Sequence, residues 1–299
     1  MASVAYKLDS GLSPRKDEGK VATTSVVVRP LSAGQEDEIL SVLSAPSLTN
    51  SIMAGFIRDN GLCSPLNRGR FYVCRNAQDQ IEGVALIGHT VLFEAFSEGA
   101  IEIFAAVARR ESSSHLLMGE HSSVQRFWNY YADQTQSPRH VCPVQFLRRS
   151  ENFDEQGQVA GLRPATHEDL EHVVRAQAEM ALETSGVDPL ERDPVGFRQR
   201  YLRRIERNRV WVLMKDGRLI FKTDVIADTP QATYIEGVYV SPEERGKGLG
   251  RQCLIEVGRI FLERTRAIYL FVENDDTRTQ SFYLKLGFNV AGAYDLLYF

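Results

Sequence analysis

Several features are scarce or missing in this 299-residue sequence, and each absence excludes a class of protein. No apolar run is long enough to cross a bilayer, and Met1 to Lys20 has no apolar segment of the signal-peptide kind. The four cysteines are widely scattered without a C-x-x-C pair, so we expect no metal site. Free thiols make a reducing cytoplasm the simplest compartment. With a net charge of −4 there is no global positive field to hold nucleic acid.

Length and ordinary globular composition suit two domains. The β-branched run Val26-Val27-Val28 ends in Arg29-Pro30 and precedes a helical stretch, and Arg163-Pro164 begins the second half in the same way. Each half then continues with a strand, a polar turn and a second strand. The sequence therefore predicts a disordered tail over 1–24, a first domain over 25–149, a polar linker, and a second domain over 159–299.

A glycine-rich turn is the most informative segment. An aromatic and β-branched strand runs from Thr233 to Val240, and Ser241-Pro242 stops it. The turn Arg245-Gly246-Lys247-Gly248-Leu249-Gly250 follows, and an amphipathic helix begins after it. Glycines let the backbone approach a ligand, and the free N–H groups of a helix start favour a phosphate or diphosphate. The alternative is a tight connection that needs glycine only for steric reasons.

The pattern Arg-x-x-Gly-x-Gly, from Arg245 to Gly250, resembles the acetyl-CoA pyrophosphate loop of the GNAT N-acetyltransferase superfamily. A Val-Tyr-Val-x-Pro strand end precedes it, and Tyr283 to Phe288 is similar to the family's Tyr-x-x-x-Gly-Phe helix end. The resemblance covers residues from about 160 to 299. It implies an α/β (α+β) fold of tandem GNAT-like domains, each with a mixed, mostly antiparallel sheet flanked by helices.

The resemblance also implies a site for acetyl-CoA, whose pantetheine arm would lie between two splayed strands. One departure concerns the family's asparagine seven residues before the tyrosine, because that position holds Asp276 here, while the asparagine falls earlier. Gly237 inside the first strand indicates a bulge. The expected coenzyme-binding residues are Val238, Tyr239, Val240, Arg245, Gly246, Lys247, Gly248, Leu249, Gly250, Asn274, Asp276 and Thr279.

Two residues are candidates for the chemistry. Tyr283 occupies the family's tyrosine position and is the expected proton donor to the leaving thiolate, with a packing role as the alternative. Glu236 lies on the strand beside the expected thioester and is the candidate base, with an exposed strand position as the alternative. Glu179, Met180 and Glu183 are the expected acceptor-binding residues, because negative charge suits an amine.

The remaining features favour structural interpretations. Arginines at positions 198, 200, 203, 204 and 207 indicate a solvated helix face. The alternative is that they contact an anionic substrate or the ribose phosphate of the coenzyme. His89, after a buried strand, is expected to be structural. The first half carries no Arg-x-x-Gly-x-Gly, so we expect a degenerate GNAT-like domain that completes the substrate cleft without a second coenzyme.

The sequence therefore predicts an N-acetyltransferase that moves an acetyl group from acetyl-CoA to a primary amine. Its partners would be acetyl-CoA and an amine acceptor, with no nucleic acid and no membrane. Two alternatives are aminoacyl transfer from charged tRNA, which duplicated GNAT folds also perform, and a non-catalytic acyl-CoA sensor. The acceptor and the oligomeric state stay open.

Overall fold

The structure, a computed structural model, describes residues 26–111, 114–133, 136–154 and 158–299. The tail predicted over 1–24 lies outside these ranges. No helix within them combines the length and apolarity that crossing a membrane requires. Internal contacts divide the chain into two units, one formed by Met1–Gln145 with Gly292–Phe299 and the other by Phe146–Ala291.

The chain from residue 26 to residue 149 follows a β-α-α-β-β-β-α-β-α-β order. Its elements are β1 (Val27–Pro30), α1 (Glu36–Val42), α2 (Leu48–Asn60), β2 (Gly69–Arg75), β3 (Ile81–Gly88), β4 (Thr90–Ala95), α3 (Glu98–Arg110), β5 (Leu116–Glu120), α4 (His121–Tyr131) and β6 (His140–Arg149). Strands β1 to β4 pair antiparallel in sequence order, and β4 pairs parallel with β5.

The remainder of the chain repeats this order, with one additional short helix. Its elements are β7 (Arg163–Pro164), α5 (Leu170–Ser185), α6 (Pro189–Arg192), α7 (Pro194–Glu206), β8 (Val210–Lys215), β9 (Arg218–Asp228), β10 (Thr233–Val240), α8 (Leu249–Leu262), β11 (Ile268–Glu273), α9 (Thr277–Lys285) and β12 (Asn289–Tyr298). Strands β7 to β10 pair antiparallel, and β10 pairs parallel with β11. The expected mixed, mostly antiparallel sheet with flanking helices is therefore confirmed.

The last strand belongs to the first unit. Residues Tyr294 to Tyr298 of β12 pair antiparallel with β5, and Leu297 packs in the same apolar cluster as Phe104 and Phe127. The sequence placed these residues in a second domain ending at 299, whereas the structure groups 292–299 with the first unit. The local sequence carries no information about which sheet receives this strand, because its pairing partner lies far away in the chain.

The sheet of the second unit separates two apolar clusters. One lies under α8 and α9 and includes Phe221, Ile235, Phe261 and Tyr283. The other lies under α5 and α7 and includes Val173, Tyr201 and Val212. On β10, Ile235, Val238 and Val240 pack in the first cluster, whereas Tyr239 packs against the second. These contacts show which face of the sheet each of these β10 side chains occupies.

Candidate active site

Two neighbouring parallel strands diverge in the second unit. Strands β10 and β11 are paired only at Thr233 with Ile268 and at Tyr234 with Tyr269, although both strands continue. The described residues of β10 from Ile235 onward have no register partner in β11. This gap exposes a strand edge with backbone donors and acceptors, which an extended ligand can use.

A β-bulge distorts β10 where the gap opens. The pairing with β9 shifts register between Glu236 and Tyr239, and Gly237 has a φ of +60°. A Cβ at Gly237 would come within 2.9 Å of Lys222 Nζ and within 3.0 Å of Gln177 Oε1. Both the left-handed backbone and the crowding require glycine at this position. The predicted bulge is confirmed.

The glycine-rich turn connects the end of β10 to α8. Gly248 has a φ of +83° and is the N-cap residue of α8, so no side chain caps the helix. Residues 245 to 248 are exposed, and Leu249 and Gly250 are half-buried. Arg245 Nε donates to Val240 O at 3.0 Å, and Lys247 Nζ donates to Glu244 Oε2 at 3.3 Å. Two cations and an uncapped helix start make this turn suitable for an anion.

Tyr283 is buried in the cluster under α8 and α9, with 6% of its surface exposed. Its ring lies 5.1 Å from Phe282 and 5.6 Å from Phe288. Burial raises the pKa of its phenol well above the usual value, and the charge of Asp276 raises it further. The half-buried Val238 packs against the same cluster. A raised pKa keeps the phenol protonated, so its O–H is a hydrogen-bond donor over the whole neutral pH range.

Glu236 lies on the opposite face of β10. It is paired in register with Asp224 of β9, whose side chain accepts a hydrogen bond from Tyr201 of α7. The Glu236 side chain is exposed, and its Oε1 accepts a hydrogen bond from Tyr234 Oη at 2.5 Å. The candidate base and the candidate acid therefore lie on opposite faces of β10, with the gap at its edge.

A buried polar cluster lies beneath Glu236. Lys222 and Asp224 are 0% and 1% exposed, and Lys222 Nζ donates to Asp224 Oδ1 at 3.0 Å. Tyr201 Oη donates to Asp224 Oδ2 at 3.1 Å, and Arg204 Nη1 lies 3.5 Å from the same oxygen. Burial lowers the pKa of the Lys222 amine, while the Asp224 carboxylate opposes that shift. Sequence reasoning missed this cluster, although a Lys-x-Asp pair inside a buried strand is an unusual signal.

Glutamates of α5 lie near the end of β10. Burial raises the pKa of Tyr239 and is the largest cause. The charges of Glu179 and Glu183 raise this pKa further, and the charge of Arg245 lowers it. Both glutamates are exposed, and Met180 is half-buried on the same helix. The structure thus brings the expected acceptor-binding carboxylates to the strand that carries Tyr239.

The remaining expected coenzyme residues lie at the start of α9. Asp276 is the N-cap residue, and its Oδ1 accepts a hydrogen bond from Thr279 N at 2.9 Å. Asn274 and Asp276 are exposed, and Thr279 is half-buried. Asp276 thus has a helix-capping function that accounts for its residue type without a ligand.

The arginines of α7 are not a purely solvated face. Arg198 donates to both carboxylate oxygens of Glu171, and Arg200 donates to Asp193 at 3.0 Å. Arg204 differs, because it reaches Tyr201 and the buried Asp224. The interpretation as a solvated face is therefore wrong for Arg204, whose side chain is 35% exposed. Periodicity placed it correctly on the helix but could not show what the helix covers.

The first unit has the same strand gap but a different helix start. Strands β4 and β5 are paired at Thr90 with Leu116 and at Val91 with Leu117. The N-cap of α3 is Ser97, whose Oγ accepts a hydrogen bond from Ala100 N, and Glu98 adds negative charge to the first turn. A self-capped, acidic helix start disfavours a phosphate. The ring of His89 meets that of His115 at 5.0 Å, and its role stays a prediction.

A mixed sheet with a strand gap and an uncapped, glycine-rich helix start is an α/β architecture whose turn suits an anion. Residues 173–288 match the family described as the Acetyltransferase (GNAT) family. A sequence comparison with curated proteins finds no match.

Solved structures extend the likeness to most of the chain. An acetyltransferase of the GNAT family from Colwellia psychrerythraea has a TM-score of 0.56 at 13% identity, covering 91% of this chain and 99% of that one. A tandem GNAT protein from the clavulanic acid biosynthesis pathway has a TM-score of 0.56 at 14% identity, covering 92% and 98%. A GCN5-related N-acetyltransferase from Sphaerobacter thermophilus has a TM-score of 0.58 at 13% identity, covering 92% and 95%. Residues 173–288 therefore match the GNAT acetyltransferase family, and the chain as a whole has the fold of GNAT proteins, a tandem GNAT protein among them.

Proposed function

We propose that this chain is an acyl-CoA-dependent N-acetyltransferase that transfers the acetyl group of acetyl-CoA to a primary amine. The observation that carries the proposal is the gap between β10 and β11. The two strands share only two residue pairs and then diverge, and the glycine-rich turn follows the diverging end of β10. An extended arm can bond to such an edge as an added strand would, and the uncapped helix start suits a diphosphate.

In this proposal the pantetheine arm lies along β10 and the diphosphate lies on the turn. Val238, Tyr239 and Val240 hold the arm, and the segment 245–250 holds the diphosphate. The bond from Arg245 to Val240 O is compatible with the arm, because a carbonyl oxygen accepts two hydrogen bonds. Asn274, Asp276 and Thr279, in the turn after β11 and at the start of α9, would border the arm on its other side.

The chemistry follows from the two faces of β10. The neutral amine attacks the thioester carbonyl carbon, and Glu236 accepts the amine proton directly or through a water. The Val238 N–H stabilises the oxyanion. The C–S bond then breaks, and Tyr283 donates a proton to the leaving thiolate. Glu179, Met180 and Glu183 would line the approach of a cationic acceptor.

Two measurements on the purified chain test the proposal. We expect calorimetry to detect acetyl-CoA binding, and we expect free thiol to be released when a panel of primary amines is added. S-acetylpantetheine, which carries the acetyl thioester and the arm but lacks the diphosphate, serves as the binding control and should bind weakly. Absence of acetyl-CoA binding would contradict the proposal outright.

The same measurements separate the alternatives. Binding without acetylation of any amine in a broad panel would replace the proposal with a non-catalytic acyl-CoA sensor. Transfer that requires an aminoacyl-tRNA donor instead of acetyl-CoA would replace it with an aminoacyl transferase.

A further inference from the structure

Lys222 is a fully buried ammonium group with a complete set of partners. Its Nζ donates to Gln177 Oε1 at 2.8 Å, to Asp224 Oδ1 at 3.0 Å and to Gly237 O at 3.0 Å. An ammonium group has three N–H donors, and each has an acceptor here. Burying a charge is costly unless it is paired and hydrogen-bonded. The proposed chemistry does not use this group, so its burial needs another explanation.

One of the three acceptors is the backbone of the bulge. Gly237 O belongs to the peptide group that joins Gly237 to Val238, and this peptide is trans. In a planar trans peptide the C=O and the N–H point in opposite directions. A hydrogen bond that holds the carbonyl toward Lys222 therefore also holds the Val238 N–H pointing away from Lys222.

The bulge would otherwise be a weakly determined part of β10. The register shifts at this point, and the gap removes β11 as a pairing partner. Thr223 Oγ1 donates to Glu236 O at 3.3 Å, which fixes the preceding peptide on the same strand. The Lys222 bond thus supplies a restraint that strand pairing alone does not.

We infer that Lys222 is a positioning residue, which clamps the Gly237–Val238 peptide so that the Val238 N–H is fixed for the thioester oxygen. The inference rests on the proposed function for the identity of the ligand. Asp224 and Gln177 hold the ammonium in place, and Tyr201 and Arg204 hold Asp224. A preorganised donor needs no reorganisation when charge develops on the oxygen.

The test compares Lys222→Met with the wild-type chain. We expect kcat to fall by about ten- to a hundredfold, because a mispositioned donor loses most of its effect. The Kd for acetyl-CoA should change by no more than about threefold, since the diphosphate turn is untouched. Arg264→Met is the matched control, because it removes a surface cation that pairs with Asp228 at 2.8 Å in the same unit. A purely structural role for Lys222 would lower stability without this split between kcat and Kd.

A second readout does not depend on activity. Hydrogen exchange of the Val238 amide, followed by NMR, should accelerate in Lys222→Met, while the amides of Thr233 and Tyr234 in the paired part of β10 keep their wild-type rates. Unchanged exchange at Val238 overturns the clamp, whatever the enzyme does. If the wild-type chain acetylates no amine, the proposed function fails, and the exchange rates still decide the clamp.

Gln177→Leu covers the case in which Lys222→Met does not fold. It removes one of the three acceptors and leaves the bonds to Asp224 and Gly237. We expect a smaller change in the same direction, both in kcat and in the exchange of the Val238 amide. A variant that folds with wild-type kcat and wild-type exchange contradicts the inference.

Discussion

The bulge at Gly237 places Glu236 and Val238 on opposite faces of β10, whereas a regular pleat would put residues two apart on the same face. Glu236 faces α5 and α7, and Val238, after the bulge, packs on the cluster that contains Tyr283. Opposite faces let the proposed base act on the amine while the proposed acid acts on the leaving sulfur.

Tyr283→Phe tests the proposed acid. We expect kcat to fall by about a hundred- to ten-thousandfold, because general acid catalysis typically contributes this much. The Kd for acetyl-CoA should be unchanged. Wild-type turnover should rise with pH as the amine loses its proton, with no alkaline fall from Tyr283, since burial keeps its pKa raised.

The control for this variant is Tyr269→Phe. Tyr269 is also a buried tyrosine, in the paired part of β11, and its ring contacts Phe146 at 4.8 Å. It should retain wild-type kcat. Equal turnover in Tyr283→Phe and wild type would remove Tyr283 from the mechanism.

At the scale of elements, two equivalent helices differ at their first residues. Helix α8 begins at a glycine without a capping side chain, whereas α3 begins at Ser97 and carries Glu98. Both follow a strand that diverges from its parallel neighbour after two pairs. The strand gap is thus common to the two halves of the chain, and the residues at the helix start distinguish them.

Gly248→Ala tests the turn. Gly248 has a φ of +83° and open space around its Cβ position, so only backbone strain opposes alanine. We expect a loss of about 1 kcal/mol in the free energy of unfolding. We also expect at least about tenfold weaker acetyl-CoA binding, because the donors of the turn would be displaced.

Gly217→Ala is its control, since Gly217 has a φ of +74° and the same open space, in the hairpin between β8 and β9. It should lose the same stability and bind acetyl-CoA normally. Equal binding by the two variants would show that the turn does not hold the coenzyme.

At the scale of the whole molecule, each unit carries its own buried thiol. Cys74 lies in the first unit and Cys253 in the second, both 0% exposed. Burial raises the pKa of each thiol from 9.0 to about 12. The folded thiols therefore stay neutral at a pH where the unfolded chain ionises them. This stabilisation is complete below about pH 9 and is lost as the pH rises toward about 12.

Urea unfolding as a function of pH measures this effect. At pH 10 we expect each buried thiol to lower the free energy of unfolding by roughly 1 kcal/mol relative to pH 8. Cys74→Ala and Cys253→Ala should each reduce the fall in the free energy of unfolding between pH 8 and pH 10. Cys63→Ser, at an exposed cysteine, should leave it unchanged. A decline that survives in both alanine variants would assign it to the buried tyrosines instead.

Much of the element order could be predicted from the sequence, because periodicity and turn residues are local signals. The hairpin of β8 and β9, the strand β10 and the helices α8 and α9 were all predicted. Helices α2 and α3 were missed, although Ser97 followed by apolar residues at 101, 104, 105 and 108 is a helix-start signal. The partners of Arg204 were also missed, since α7 and β9 are brought together only by packing.

The sequence by itself determined the glycine-rich turn, the bulge at Gly237 and the repeated order of elements, because glycine positions and apolar spacing act over a few residues. Only the tertiary structure decided that β12 pairs with β5, that Glu236 and Tyr283 lie on opposite faces, and that Lys222 reaches the bulge. Those features depend on contacts between residues far apart in the chain. A buried charge such as that of Lys222 is stable only with its partners around it, and these partners come from distant parts of the chain.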